Sequence, residues 1–245
     1  MEAVFCNPQT ACYRGSMSKQ RVAVFDVDGT IFRSSLLIEL TERLIEKDIF
    51  PATMRSRYKR EHKKWLDREG DYQAYIDAMV RAFHTNLKGV YYGDFADTAK
   101  EVVDLHWKHT YRFTRDLTKD LRARGYFMLA ISHSPKTVLD FFCPKLGFDK
   151  VYGTMLDLGP TDRFTGQRMD EHLIANKANI LRRAVEKHDL TLAHSIGVGD
   201  TESDIPFLEL VAKPICFNPN KKLYRHAQRN GWKVMVERKD VIYEI

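Results

Sequence analysis

Val22-Ala23-Val24-Phe25-Asp26-Val27-Asp28-Gly29-Thr30 is an apolar run that ends in two carboxylates one residue apart, followed by a glycine and a hydroxyl. A β-branched and aromatic run of this length reads as a buried strand, and Gly29 marks the sharp turn at its end. The two acids then stand at the carboxyl end of a central strand, where open α/β sheets hold their ligands. Side chains alternate across a strand, so Asp26 and Asp28 share a face and can converge on one point. Two like charges that close require either a cation between them or a proton on one. Both arrangements serve chemistry.

Later stretches carry matching residues in a fixed order. Leu129-Ala130-Ile131-Ser132 is an apolar strand ending in a hydroxyl. Lys177 lies at the start of a helix, and Ile196-Gly197-Val198-Gly199-Asp200-Thr201-Glu202-Ser203-Asp204 is a strand ending in a GDxxxD acid pair. Together these motifs resemble the haloacid dehalogenase-like (HAD) superfamily, whose phosphatase branch opens with a strand ending in DxDGT. The resemblance runs from about Arg21 to the C-terminus. It implies an α/β fold, a doubly wound parallel sheet of the Rossmann-like HAD type.

The rest of the chain agrees. Positions 26 and 132 are 106 residues apart, far more than the dozen or so that a crossover between parallel strands needs, so the spacing predicts an insertion. Its pattern is helical: Leu36, Leu37, Leu40, Leu44 and Ile45 recur at helical spacing, Pro51 suits a first helical position, and Tyr72, Tyr75, Ile76, Met79, Val80 and Phe83 form a second stripe. Phe95, Ala99, Val102, Val103, Leu105 and Trp107 suggest a further helix. Relatives with a helical cap directly after the first motif form the phosphoserine phosphatase-like branch. The expected division is therefore an α/β core of residues 19–33 and 113–245 and a helical-bundle cap of residues 34–112, with residues 1–18 a disordered extension. Beyond the insertion, helices and strands alternate from Thr114 to Val236. Ser134 and Pro135 suit a helix N-cap and first position. Gly159-Pro160 and Thr165-Gly166 mark turns of a hairpin-like stretch.

Composition sets bounds. A chain of 245 residues, 44% hydrophobic, buries one sizeable core plus a smaller module. No stretch approaches the roughly 20 apolar residues that span a bilayer, and Cys6, Asn7, Gln9 and Thr10 interrupt what a signal peptide would keep apolar. The four cysteines show no CxxC spacing, so a reducing cytoplasm is expected. A net charge of +6 suits anionic substrates as well as nucleic acid and selects neither. Six basic residues from Arg55 to Lys64 stand against one acid, Glu61. A helix of that kind can touch a membrane surface, but residues 34–113 hold 14 basic and 13 acidic residues, which favours a solvated face. No nucleic-acid partner is expected.

The resemblance assigns the chemistry. Asp26 is the nucleophile that forms an aspartyl-phosphate, and Asp28 protonates the leaving alcohol and then deprotonates the attacking water. Mg²⁺ is held by the carboxylates of Asp26 and Asp200 and the main-chain carbonyl of Asp28, with Asp204 supporting or ligating. Ser132 hydrogen-bonds the phosphoryl group, Lys177 neutralises it, and Gly29 and Thr30 add backbone or hydroxyl contacts. His133, between two serines, has no partner acid or nucleophile elbow and reads as a hydrogen-bonding residue near the phosphate. Plainer readings exist: strand-end aspartates form turns, Ser132 can cap, and lysines populate helix surfaces. A lysine in a first helical turn opposes the helix dipole, however, and the joint pattern outweighs the separate alternatives.

Phosphoserine phosphatases place a glutamate shortly after the first motif to hold the substrate amine. Here Ile31-Phe32-Arg33-Ser34-Ser35 brings no acid before Glu39, so an amino-acid phosphate is disfavoured and Arg33 leans toward a neutral or anionic leaving group. The expected activity is Mg²⁺-dependent hydrolysis of a small phosphomonoester. The alternatives are a phosphotransferase using the same aspartyl-phosphate and a non-catalytic phosphate-binding protein on the same fold.

Overall fold

The residues from Val22 to Phe25 offer water no polar side chain, so the strand they form must be covered on both faces. In the computed structural model, which describes residues 19–169 and 176–245, this strand is β1 (Gln20–Phe25). The expected disordered segment, residues 1–18, lies outside the described residues. The chain continues through α1 (Leu36–Glu46), α2 (Ser56–Leu66), α3 (Tyr72–Leu87), α4 (Tyr92–His106) and α5 (Arg112–Ala123). Then follow β2 (Phe127–Pro135), α6 (Lys136–Phe142), β3 (Lys150–Leu158), β4 (Phe164–Met169), α7 (Lys177–Lys187) and β5 (Leu190–Gly199). It closes with α8 (Ile205–Leu208), β6 (Lys213–Phe217), α9 (Lys221–Asn230), β7 (Lys233–Arg238) and β8 (Val241–Glu244).

Among the described residues the strands form one sheet in the order β4-β3-β2-β1-β5-β6-β7-β8. β1 pairs in parallel with both neighbours, Val24 standing opposite Leu129 and Gly197. Only the outer pairings, β3 with β4 and β7 with β8, are antiparallel. Alternation along β1 sends Ala23 and Phe25 to one apolar cluster and Val22 and Val24 to another. α7, α8 and α9 cover the second face with Leu181, Phe207 and Leu223. The first is covered by α5 and α6, and its cluster runs unbroken into α1, α3 and α4 as far as Tyr58 and Tyr75. Edge-on ring contacts mark the route: Phe32 with Phe142 at 5.6 Å and Phe95 with Phe164 at 4.9 Å. The sheet is thus doubly wound, as expected, and the inserted helices share its apolar interior.

Several local expectations change. Pro51 precedes a 3-10 turn, Ala52–Arg55, instead of opening an α-helix. Leu105, read as part of an apolar stripe, is 58% exposed. Ser134 is no helix N-cap: β2 runs on through it because Pro135 pairs with Thr154 of β3, and α6 starts only at Lys136. α6 ends at Phe142 and tightens into a 3-10 turn, Cys143–Leu146, that contains Pro144. Gly166 lies inside β4, not at a turn. With φ +88° it lets the backbone approach Lys88, whose Cβ lies 3.2 Å from where a Gly166 Cβ would stand. β8 had no counterpart in the sequence reading.

The basic run from Arg55 to Lys64 is largely paired: Arg55 with Glu42, Arg60 and Lys64 with Glu61, and Lys63 with Asp67. Among the described residues no helix is long and apolar enough to cross a membrane.

Candidate active site

β1, β2 and β5 end side by side, and the residues just past their carboxyl ends meet. The Asp26 amide still donates to the Val198 carbonyl at 2.9 Å, which fixes the first carboxylate against β5. The chain then turns at Gly29, whose amide donates to the carbonyls of Phe32 (3.0 Å) and Ser34 (3.1 Å). Gly29 sits at φ +76°, and a Cβ there would lie 2.2 Å from Oδ2 of Asp200. Only glycine both makes this turn and leaves that carboxylate its place.

Lys177, the first residue of α7, is 2% exposed. Its ammonium donates to Oδ1 of Asp26 at 2.5 Å and to Oδ1 of Asp204 at 2.6 Å. Asn176 caps the helix, its side chain accepting from the Asn179 amide at 3.2 Å. Asp204 is fully buried, and its Oδ2 accepts from the amides of Asp200 and Thr201, both at 3.0 Å. The second acid of GDxxxD therefore folds its own loop and holds the lysine. Asp200 Oδ1 accepts from the Thr30 hydroxyl at 3.2 Å. Thr30, expected to face a phosphate, is turned onto this carboxylate.

Asp26, Asp200 and Asp204 bring one oxygen each within 4.8 Å of one another. Three carboxylates against one ammonium leave an excess of negative charge in a dry place. Burial, and then the neighbouring carboxylates Asp204 and Asp28 working against Lys177, push Asp26 up to about 7. Burial, Asp26 and Asp204 likewise hold Asp200 well above the usual carboxylate range. Burial works against the charged form of Lys177, but Asp204 and Asp26 outweigh it and hold its ammonium above the ordinary lysine value. A further divalent cation would relieve the excess, and an all-oxygen donor set suits Mg²⁺. The residues present fit the ion.

The Asp28 carboxylate stands outside this trio. Its Oδ1 accepts from the Leu36 amide at 2.6 Å, and its Oδ2 accepts from the hydroxyls of Ser132 (2.6 Å) and Ser134 (2.8 Å). Ser132 also accepts from the Ser134 amide at 2.9 Å. Ser134, read from sequence as a helix cap, and the Leu36 amide were not expected to hold Asp28. The signal for Ser134 was there, since Ser132 and Ser134 repeat on β2 the period-two spacing of Asp26 and Asp28. His133, between them, lies at the exposed rim, and its carbonyl accepts from the Thr154 hydroxyl at 2.6 Å.

These groups line a cleft of ≈ 350 Å³ whose opposite wall comes from Leu37 of α1 and Tyr72, Gln73, Ile76 and Val80 of α3. Burial and the charges of Asp28 and Tyr75 raise the Tyr72 hydroxyl above the usual tyrosine value, so it stays a neutral phenol.

Comparison with known proteins agrees with this geometry. The haloacid dehalogenase-like hydrolase family matches residues 23–209. A histidinol-phosphatase of Neisseria meningitidis serogroup C (strain 8013) is 25% identical over 225 residues, which is 88% of this chain and 98% of the relative. A phosphoserine phosphatase of Mycobacterium tuberculosis is 23% identical over 86% of this chain and 69% of its own length. Among solved structures, a protein of unknown function from Bordetella pertussis Tohama I superposes with a TM-score of 0.68 at 19% identity, covering 89% of this chain and 98% of its own. A phospho-aspartyl intermediate analogue of phosphoserine phosphatase superposes with a TM-score of 0.58 at 19% identity, covering 91% of this chain and 95% of its own. With its family match spanning most of the sequence, the chain belongs to the haloacid dehalogenase-like hydrolases and carries the phosphomonoesterase motifs of their phosphoserine phosphatase-like branch.

Proposed function

We propose that the protein is a Mg²⁺-dependent phosphatase that hydrolyses a small phosphomonoester through an aspartyl-phosphate on Asp26. The observation that carries this reading is the Asp26 carboxylate, buried at a strand end, held by Lys177 at 2.5 Å and set two residues before an independently anchored acid. A phosphate monoester resists attack because it is anionic, so the site must supply a placed nucleophile, a proton donor and positive charge. An Asp26 oxygen attacks phosphorus as the ester P–O bond breaks, and Asp28 gives its proton to the departing oxygen. Water then attacks phosphorus, Asp28 takes the proton, and the Asp26 carboxylate is released. The hydroxyls of Ser132 and Ser134 suit both halves, because a hydroxyl donates to a carboxylate and turns to accept once the acid is protonated. Lys177 fixes the attacking carboxylate and balances charge brought by the phosphoryl group. Mg²⁺ would be held by the carboxylates of Asp26 and Asp200 and the Asp28 carbonyl, with Asp204 supporting, and would supply the remaining positive charge.

Residues 34–112 act as a cap over the cleft in this reading, for Tyr72, Ile76 and Val80 form the wall facing the carboxylates. The buried free thiols Cys143 and Cys216 suit a reducing compartment, and we place the protein in the cytoplasm. Release of inorganic phosphate from 4-nitrophenyl phosphate tests the proposal. Activity should stop in chelator and return with Mg²⁺, and Asp26→Asn should abolish it without altering the melting curve. Full activity in chelator, or more than a few per cent left in a folded Asp26→Asn protein, overturns it.

A further inference from the structure

β6 ends beside β5, Cys216 standing opposite Gly199, so the turn that leaves β6 passes the loop that carries Asp200 and Asp204. Asn220, at the end of that turn, is the N-cap of α9, and its polar groups reach in three directions. Its amide donates to the Asp200 carbonyl at 2.8 Å, and its side-chain oxygen accepts from the Leu223 amide at 3.0 Å. Its side-chain nitrogen donates to Oε2 of Glu202. Asn218, two residues earlier, serves β7 instead: its side-chain oxygen accepts from the Glu237 amide at 2.9 Å.

Glu202 lines the catalytic cleft, where an acid two residues past Asp200 invites a reading as one more metal ligand. The carboxylates that converge, however, are those of Asp26, Asp200 and Asp204. Both Glu202 oxygens are engaged elsewhere, Oε2 by Asn220 and Oε1 by the Lys222 ammonium at 2.7 Å. The Lys222 side chain is 73% exposed, and ion pairs of that kind contribute little. The hold on Glu202 therefore falls to Asn220. Asp204 ties the same loop from within, its Oδ2 accepting from the Asp200 and Thr201 amides. Bonds inside the loop set its shape, and the bonds from Asn220 set its place against the sheet. Groups that hold a ligand from behind tune the affinity for the ion.

We propose that Asn220 is a positioning residue for the metal: through Glu202 and the Asp200 carbonyl it keeps the Asp200 carboxylate where a divalent cation needs it. The inference rests on the Mg²⁺-dependent phosphatase reading.

The test is calorimetric titration of Mg²⁺ into metal-free, folded protein, which reads binding and not turnover. Asn220→Asp keeps a good N-cap for α9 but removes the donor and sets a second carboxylate against Glu202. By charge alone the new acid would tighten a cation, whereas a displaced loop should raise the Kd about tenfold. Glu202→Gln reverses the contrast, for it removes a charge near the ion yet keeps an oxygen for the Asn220 side chain. Its Kd should stay within about threefold of wild type, while Glu202→Ala should raise it about tenfold. An unchanged or lower Kd in Asn220→Asp overturns the inference and leaves the metal reading standing. Equal weakening in Glu202→Gln and Glu202→Ala assigns the effect to charge and overturns it as well; this pair decides alone if Asn220→Asp does not fold. No binding by the wild-type protein at millimolar Mg²⁺ removes the metal reading and the inference with it.

Discussion

Two hydroxyls on one face of β2 decide how Asp28 is held. Losing a hydrogen bond to a charged group costs roughly 1.5–3 kcal/mol, and a misplaced proton donor is felt in the chemical step. Ser134→Ala should therefore lower kcat about tenfold or more on 4-nitrophenyl phosphate with little change in melting temperature. An unchanged kcat would show that Ser132 and the Leu36 amide suffice. Gly29→Ala should be more severe for the metal, because the new methyl would stand 2.2 Å from Asp200 Oδ2 and push that carboxylate aside. Its half-saturating Mg²⁺ concentration should rise steeply, and a wild-type titration curve would contradict the account. Most of these residues were legible in sequence because Asp26, Asp28, Ser132, Lys177 and Asp200 sit at strand ends or a helix start that hydropathy alone locates. Ser134 was not. Followed by proline, it has the local chemistry of a helix cap, and only the pairing of Pro135 with Thr154 carries the strand onward.

At the scale of elements, the inserted helices behave less like a detachable lid than their position in the sequence suggests. Phe164 of β4 is 3% exposed and packs edge-on against Phe95 of α4, so hairpin and insertion hold each other. Phe164→Ala should cost about 3–5 kcal/mol of stability, read from denaturant unfolding. A change within about 0.5 kcal/mol, typical of surface substitutions, would mean the contact is incidental. Excising residues 34–112 should leave no cooperative transition, because it strips the cover from Phe32 and Phe142. A folded, lidless core would show the two parts to be separable. The helical periods of α1, α3 and α4 were readable since each buries one stripe. β8 was not, because an exposed four-residue edge strand carries little hydrophobic signal.

For the whole molecule, the buried carboxylates tie stability to pH and metal. Asp26 has its pKa raised from 3.8 to about 7, so folding favours its protonated form. That contribution is complete below the ordinary carboxylate pKa and is lost as pH rises through about 7. Metal-free protein should thus lose melting temperature between pH 4 and pH 7 on this account, and Mg²⁺ should restore it. The Mg²⁺-induced gain, followed by calorimetry, should be largest near neutrality and vanish toward pH 4. A gain independent of pH would mean that the ion does not meet these carboxylates.

The central place of β1 also has a consequence in time. The strand is synthesised well before its partner, for Val24 pairs with Gly197, 173 positions later. At roughly 5–20 residues per second, a ribosome needs about 10–35 s to deliver that partner. Through this interval one edge of a strand whose last four residues are all apolar stands open, inviting pairing with other chains. Nascent chains halted at Asp189 should therefore be protease-sensitive and bound by chaperones, and those extended beyond Gly199 and clear of the exit tunnel should become resistant. Asp26, at the end of this strand, gains its surroundings only once Lys177, Asp200 and Asp204 have been made.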